Sequence, residues 1–443
     1  MKPASAYNRR VFLVGTTASV GLTVIPRHVL GTADTPSANN RLNIAAVGVG
    51  GMGSGDIRQV SPENVVAICD VDANHAANTA KNFPQAKVYS DFRVMLDTQK
   101  DIDAVMVATP DHNHAVVTMK ALKMGKHVFC QKPLTHSVFE ALEIAKAARE
   151  AGVATQMGNQ GQASEEARLT CEFIWAGAVG TVREIHSWSN RRPDISQRGV
   201  PRPTDAPPVP AGLDWNLWLG PAPERPYHSC YHPFAWRGWW DFGTGVLGDI
   251  GCHNLSAAFK ALKLGWPTSV EACSTHWSAS PEIRRETAPL ASIVTYRFAA
   301  VGDRPEIVLR WYDGGMMPPH PDGVDPQLRL FDGDGTLIVG DKGLLRGHRL
   351  LPESRMQEIG KPPQKLLRSP GHYREWLDAC KGGPPAGSNF VDHAGPLAAV
   401  VLMGNVAIRA EEKLYWDPEK LQFKNNDAAN ALLNPPYRPG WTL

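Results

Sequence analysis

A chain of 443 residues, 43% hydrophobic and 20% charged, has the make-up of a soluble globular protein and length for two domains with substantial cores. A formal net charge of +2 with no long basic block excludes an extended nucleic-acid surface. Seven cysteines (69, 130, 171, 230, 252, 273 and 380) without C-x-x-C pairs exclude a zinc framework and offer no obvious disulfide set.

The chain opens on a targeting segment. Asn8-Arg9-Arg10-Val11-Phe12-Leu13 resembles the twin-arginine export signal. The apolar stretch 11–25 is short and rich in Gly and Thr for a membrane span. Small residues at Gly31-Thr32-Ala33 put cleavage after Ala33, which makes residues 1–33 a signal peptide and 34–41 a linker. The expectation is a periplasmic protein, exported already folded and cofactor-loaded, with no stable membrane insertion after cleavage; a retained anchor is the alternative.

From Leu42 an α/β alternation begins. Ile44–Val47 reads as a buried strand, and Gly48, Gly50 and Gly53 follow in the spacing G-x-G-x-x-G, with Gly51 and Met52 inside the turn. Ser54–Val60 reads as helix. Val65–Cys69 reads as the next strand, ending on Asp70, 22 residues after Gly48. Strand, glycine turn, helix, strand and terminal acid form a dinucleotide-binding fingerprint. The helix N-terminus faces the phosphates, and the acid accepts from the ribose 2′-OH while repelling a 2′-phosphate. With no Arg or Lys over 71–75, NAD is favoured over NADP. Further strands over 103–109, 127–130 and 153–157 alternate with helices over 115–124 and 137–151, giving a doubly wound parallel sheet over 42–160. The Gly48 turn, Asp70, the Thr109-Pro110 turn and Gln131-Lys132-Pro133 all fall at carboxyl strand ends, where such sheets bind ligands.

Residues 161–443 follow another pattern. Strands over 182–189, 269–276, 292–298, 306–312, 336–339 and 343–346 predict a second α/β domain with a mostly antiparallel open-faced sheet. The Pro-rich stretches 191–226 and 313–328 read as structured loops near a site or interface. Helices follow over 372–380 and 392–411, then an irregular arm over 417–443.

Two constellations carry chemistry. Lys132 stands just past a strand end, locked by Pro133. Asp249 and His253 are four apart, so on a helix they share one face. A Lys, an Asp and a His meeting near a nicotinamide suit alcohol oxidation, in which a base takes the hydroxyl proton and a cation steadies the developing alkoxide. Taken alone, the pair also reads as a helix N-terminal acid and a buried core histidine. Tyr227, His228, Tyr231, His232, Trp236 and Arg237 offer rings and polar tips for a sugar, or form a folded Trp-rich core. His112 and His114, two apart on a loop, lack nearby carboxylate or thiolate ligands, so no metal site is expected.

These motifs in this order resemble the Gfo/Idh/MocA oxidoreductase family over roughly residues 42–412. The family's lysine lies in Glu-Lys-Pro, matched by Gln131-Lys132-Pro133, and its Asp-x-x-x-His pair is matched by Asp249 and His253. The resemblance implies Lys132 in the active site, His253 as proton acceptor and Asp249 as orienting group or substrate ligand. It also implies Pro110 and His114 beside the nicotinamide ribose, a sugar, polyol or glycoside substrate, and a dimer or tetramer. Gln131 replaces the family's Glu, and Asn254-Leu255-Ser256 stands where relatives often carry a further Asp. The expected function is hydride transfer between a sugar or polyol hydroxyl and a tightly bound nicotinamide. The alternatives are a redox-neutral glycosidase or lyase acting through a transient keto-sugar, and a non-catalytic sugar- or dinucleotide-binding protein.

Overall fold

Short β-branched and alanine runs bounded by glycine turns form the first sheet, because each can bury both faces under helices. The computed structural model describes residues 40–191, 196–322 and 324–443. The signal-peptide reading and most of the linker lie outside the described residues. Six parallel strands run in the order β3-β2-β1-β4-β5-β6. They are β1 (Asn43–Val47), β2 (Asn64–Cys69), β3 (Lys87–Tyr89), β4 (Ala104–Val107), β5 (His127–Cys130) and β6 (Thr155–Met157). The order reverses between β1 and β4, and the crevice at such a switch point is where a dinucleotide sits. One face of this sheet is covered from far along the chain. Trp376 and Leu377, on the helix His372–Cys380, join Ile44, Ile68, Met106 and Phe129 in one apolar cluster.

Nine strands form the second sheet, in the order β13-β12-β11-β7-β10-β9-β8-β14-β15. They are β7 (Val182–Trp188), β8 (Ser269–Ser274), β9 (Ser292–Phe298), β10 (Ile307–Tyr312), β11 (Gly335–Gly340), β12 (Gly343–Arg346), β13 (Arg349–Leu351), β14 (Leu414–Asp417) and β15 (Gln422–Phe423). Only β7 and β10 pair in parallel. β9 alternates buried and half-exposed residues, so one face meets the core and the other stays open. The helix Gly395–Ala410 packs on the inner face, where Tyr296 Oη donates to the Val401 carbonyl at 3.1 Å. Among the described residues, the run Phe390–Ala410 alone is long and apolar enough to cross a membrane, and it is a buried core element.

Three sequence expectations change. The glycine-turn helix starts at Gly51 rather than Ser54, because Gly50 takes the extended N-cap conformation. His112 and His114 lie on a helix, Asp111–Lys123, not on a loop; Pro110 serves as its N-cap and Asp111 fits the positive end of its dipole. The arm over 417–443 is partly regular, since β15 closes on β14 and Asn426 caps the helix Asp427–Leu433 by accepting from the Ala429 amide.

Candidate active site

A cavity of about 790 Å³ runs along the carboxyl ends of β1, β2, β4 and β5. At one end stands the glycine turn. A Cβ on Gly48 would lie 2.7 Å from the Ala108 backbone, and one on Gly53 would lie 2.0 Å from the Gly48 carbonyl oxygen. Both glycines are therefore required for close approach, Gly53 between helix and strand and out of the cavity wall. Gly50, Gly51 and Met52 line the cavity at the helix N-terminus. Asp70 accepts from the amides of Val49 at 2.8 Å and Asp72 at 2.9 Å, and burial nonetheless raises its carboxyl above the usual range. Residues 212–214 bridge to this edge, with Ala73 N–H donating to Gly212 and Asp214 N–H to Val71. His232 Nε2 lies 3.3 Å from Asp72 Oδ2, and His75, missed in the sequence, also lines this end.

Thr109, Pro110, His114 and Gln131 line the middle. The ring nitrogens of His114 lie 2.8 Å from the Thr109 carbonyl oxygen and 2.7 Å from that of Pro133. That ring clamps the end of β4 to the turn holding Lys132. Gln131 Nε2 donates to Asp56 Oδ2 at 2.8 Å, and Tyr373 Oη donates to Asp56 Oδ1 at 2.5 Å. Burial raises the Asp56 carboxyl even against those two bonds.

The other end holds the predicted triad. Lys132 Nζ donates to Asp249 Oδ1 at 2.5 Å and to the Asp249 carbonyl at 2.8 Å. Asp249 and His253 lie on one helix, Gly245–Asn254, as the four-residue spacing requires. Two further cations reach Asp249: Arg191 Nη1 at 3.0 Å from Oδ2 and Arg237 Nε at 3.7 Å from Oδ1. Burial alone would raise this carboxyl, but Lys132, Arg237 and Arg191 hold it well below the usual carboxylate range. Burial and then Lys132 push the His253 imidazole down to about 3, so it is neutral at physiological pH. Among the described residues no hydrogen bond reaches its ring. Arg191 opens the Pro-rich stretch 191–226 that reads as a loop near a site, but no motif or spacing singles out this residue within it.

The aromatic stretch divides. His232, Trp236 and Arg237 line the cavity, whereas Tyr227, His228 and Tyr231 do not. Tyr227 and Tyr231 belong to a cluster with Trp218, Trp239 and Phe242, and Tyr231 is 1% exposed. Large rings gain more by packing together than by lining a wet cleft, so the folded-core reading holds for them. His228 pairs with Asp205 instead. His112 is buried, with its ring nitrogens on the Phe242 and Trp218 carbonyls. Among the described residues no group of three or more His, Cys, Asp or Glu could hold a metal, and the seven cysteines are free, Cys69 and Cys130 buried.

The glycine cradle, the helix N-terminus, Asp70 and the elongated cavity together fit a dinucleotide. Comparison with known proteins gives the same answer. Residues 42–159 match the family model described as "Oxidoreductase family, NAD-binding Rossmann fold", and residues 202–272 and 392–443 match its "C-terminal alpha/beta domain". An inositol 2-dehydrogenase of Rubrobacter xylanophilus is 30% identical over 35% of this chain and 46% of its own length. A levoglucosan dehydrogenase of Pseudarthrobacter phenanthrenivorans is 29% identical over 43% and 40%. A 2,7-anhydro-N-acetylneuraminate hydratase of Escherichia coli is 29% identical over 35% and 42%. Each alignment thus spans less than half of the relative. The WlbA dehydrogenase of Bordetella pertussis, solved with NADH and UDP-GlcNAcA, shares the fold at a TM-score of 0.58 and 17% identity, covering 85% of this chain and 99% of that one.

Proposed function

This chain belongs to the Gfo/Idh/MocA oxidoreductase family, and from that premise we propose that it oxidises a secondary hydroxyl of a sugar or polyol with NAD as hydride acceptor, or runs the reverse reaction. The observation that carries the reading is the Lys132–Asp249 pair with His253 one helical turn away, at the far end of a nucleotide-shaped cavity. When bound, the nicotinamide supplies the hydride-accepting carbon. Lys132, anchored by Asp249, donates to the substrate oxygen and makes its proton easier to remove. Neutral His253 has a lone pair free to receive that hydroxyl hydrogen. Arg237, its guanidinium stacked over the Trp236 ring at 4.2 Å, provides a cation for neighbouring hydroxyls.

Export by the twin-arginine route through residues 8–13 belongs to the same proposal, and with it a periplasmic, membrane-free mature protein whose cofactor stays bound and is regenerated in place. The open face of the second sheet suits self-association as a dimer or tetramer. The relative named as a hydratase supports a second reading, in which the hydride returns to the same sugar after elimination and hydration. Of Tyr227, His228, Tyr231 and His232, the side chains of that stretch able to act as base toward a C–H proton, His232 alone lines the cavity.

The test uses purified mature protein without added cofactor. Inositol, levoglucosan and aryl glycosides are supplied while 340 nm absorbance and aglycone release are followed together. A rise at 340 nm without aglycone release supports the dehydrogenase. Sustained release with no net change at 340 nm supports the redox-neutral reading. No response to any sugar, with NAD added as well, overturns both.

A further inference from the structure

The Lys132 end of the cavity carries more positive than negative charge. Three cations line it, Lys132, Arg191 and Arg237, against two carboxylates, Asp249 and Asp111, while Asp70 stands at the other end. Asp111 is 3% exposed and its Oδ2 accepts from the Thr244 hydroxyl at 2.7 Å. N–H donors are left over as well. Lys132 gives two of its three ammonium hydrogens to Asp249. Arg191 meets Asp249 through Nη1, and among the described residues no hydrogen bond engages its Nε or Nη2. Arg237 gives Nη1 to the Phe234 carbonyl at 3.0 Å, while its Nε is buried with no hydrogen-bond partner among the described residues.

Both arginines are held in place by the protein itself. The Arg237 guanidinium lies 4.2 Å from the ring centroids of both Phe234 and Trp236. The Arg191 main chain is pinned on two sides: its N–H donates to Ser189 Oγ at 3.3 Å, and its carbonyl accepts from Arg198 Nη2 at 3.2 Å. Arg198 is 3% exposed and pairs with Asp313, which accepts from the Ser292 hydroxyl and the Trp311 indole N–H at 2.9 Å each. A buried ion pair is weak evidence for stability. Here it fixes the main chain from which Arg191 reaches the cavity, and donors fixed in advance lose little freedom when a ligand binds.

We propose that the sugar or polyol taken by this site is an acid, whose carboxylate is received by Arg191 and Arg237. The inference rests on the hydroxyl oxidation proposed above and narrows its substrate; the carboxylate itself does not react. Lys132 alone already places a cation in hydrogen-bond contact with Asp249, so two further cations exceed what that carboxyl needs. Arg191 lies against Oδ2 of Asp249 and Arg237 approaches Oδ1, so the two guanidiniums flank one carboxyl and converge on one part of the cavity. A guanidinium presents paired N–H groups that match the two oxygens of a carboxylate. A carboxylate also brings the single negative charge that balances three cations against Asp249 and Asp111, whereas a phosphate monoester brings nearly two at neutral pH. A neutral sugar can meet the N–H groups but leaves the surplus charge uncompensated in a partly buried cleft, where desolvation makes it costly.

The test is calorimetric titration of the whole protein loaded with NADH. The probes are two pairs that differ by one carboxylate, glucuronate with glucose and gluconate with glucitol. The acid of at least one pair should bind about 30-fold more tightly at low salt, and the ratio should shrink as ionic strength rises. Arg191→Gln and Arg237→Gln should each cut that ratio about tenfold, and Arg191→Lys should recover part of it. Equal affinities within both pairs overturn the proposal. A role confined to holding Asp249 would weaken acid and neutral sugars alike, so an unchanged ratio in both glutamine variants overturns it too. Tighter binding of glucose 6-phosphate or glucose 6-sulfate than of glucuronate overturns the choice of a carboxylate. With NAD in place of NADH, absorbance at 340 nm separates this inference from the reaction beneath it. No rise with these four compounds, inositol or levoglucosan defeats the oxidation and the acidic substrate with it. Oxidation of the neutral members at the kcat/KM of their acids defeats the acidic substrate alone.

Discussion

At the scale of single residues, Gln131 shows how one substitution is answered by another. A carboxylate at this position would sit about 3 Å from Asp56, in a pocket where burial already raises the Asp56 carboxyl. Two adjacent buried carboxylates cannot both ionise cheaply, so an amide is what this pocket accepts beside Asp56. Gln131 donates to that acid and leaves its own oxygen toward the Lys132 amide at 3.4 Å. Gln131→Glu should therefore lower stability, and Asp56→Asn in the same chain should restore it. Urea unfolding of the two single variants and the double variant is expected to give a coupling of about 1–3 kcal/mol. Additive losses would show that the two side chains do not share one charge site. A strand end and a four-residue spacing single out Lys132, Asp249 and His253, but taken alone the Asp/His pair reads equally as a helix N-terminal acid and a core histidine, and its role comes from the resemblance to the family. Arg191 and Asp56 were not legible, since they acquire their roles from partners 58 and 75 residues away in the chain.

Elements follow the same division. The parallel strands and the Ser137-capped helix Val138–Ala151 were readable because local pattern and tertiary environment agree. Ser137 and Glu140 complete a capping box, and Gly152 ends the helix at φ 63°. The helix His372–Cys380 was also read correctly, but nothing local says which sheet it covers. It returns to the first sheet and fills it with Trp376, 0% exposed and with its ring 5.6 Å from that of Phe129. The domain that binds the dinucleotide thus depends on chain from residue 372 onward as well as on 42–160. Trp376→Ala should cost about 3–5 kcal/mol, because a cavity of that size cannot collapse onto a sheet. Trp376→Phe should cost much less, since it keeps a ring and removes an indole N–H that has no partner among the described residues. Equal losses in calorimetry for the two variants would mean that filling the volume is not what Trp376 does.

For the whole molecule, buried histidines make stability depend on pH in one direction. Burial pushes His112, His253 and His393 down to about 3 and His372 down to about 4. In the unfolded chain each returns to about 6.5. A group whose folded pKa is depressed contributes stability that is present above its unfolded value and lost as pH falls toward its folded one. The unfolded chain therefore binds the extra protons below about pH 6.5, at about 1.4 kcal/mol per pH unit for each proton fully taken up. His114 works the opposite way: its raised folded pKa stabilises at low pH, because Cys130 and two carbonyls outweigh the cost of burial. Asp111, raised to about 6, also opposes the trend by binding its proton in the folded state first. Four imidazoles against these two groups leave a net loss on acidification. Urea midpoints measured from about pH 7.5 down to 5.5 should fall steadily. His393→Gln, remote from Lys132 and bonded to Ser256 Oγ at 2.8 Å, should reduce the slope by about one proton while leaving NAD binding intact. A flat profile, or a His393→Gln profile parallel to wild type, would show that these imidazoles already carry their protons in the folded protein.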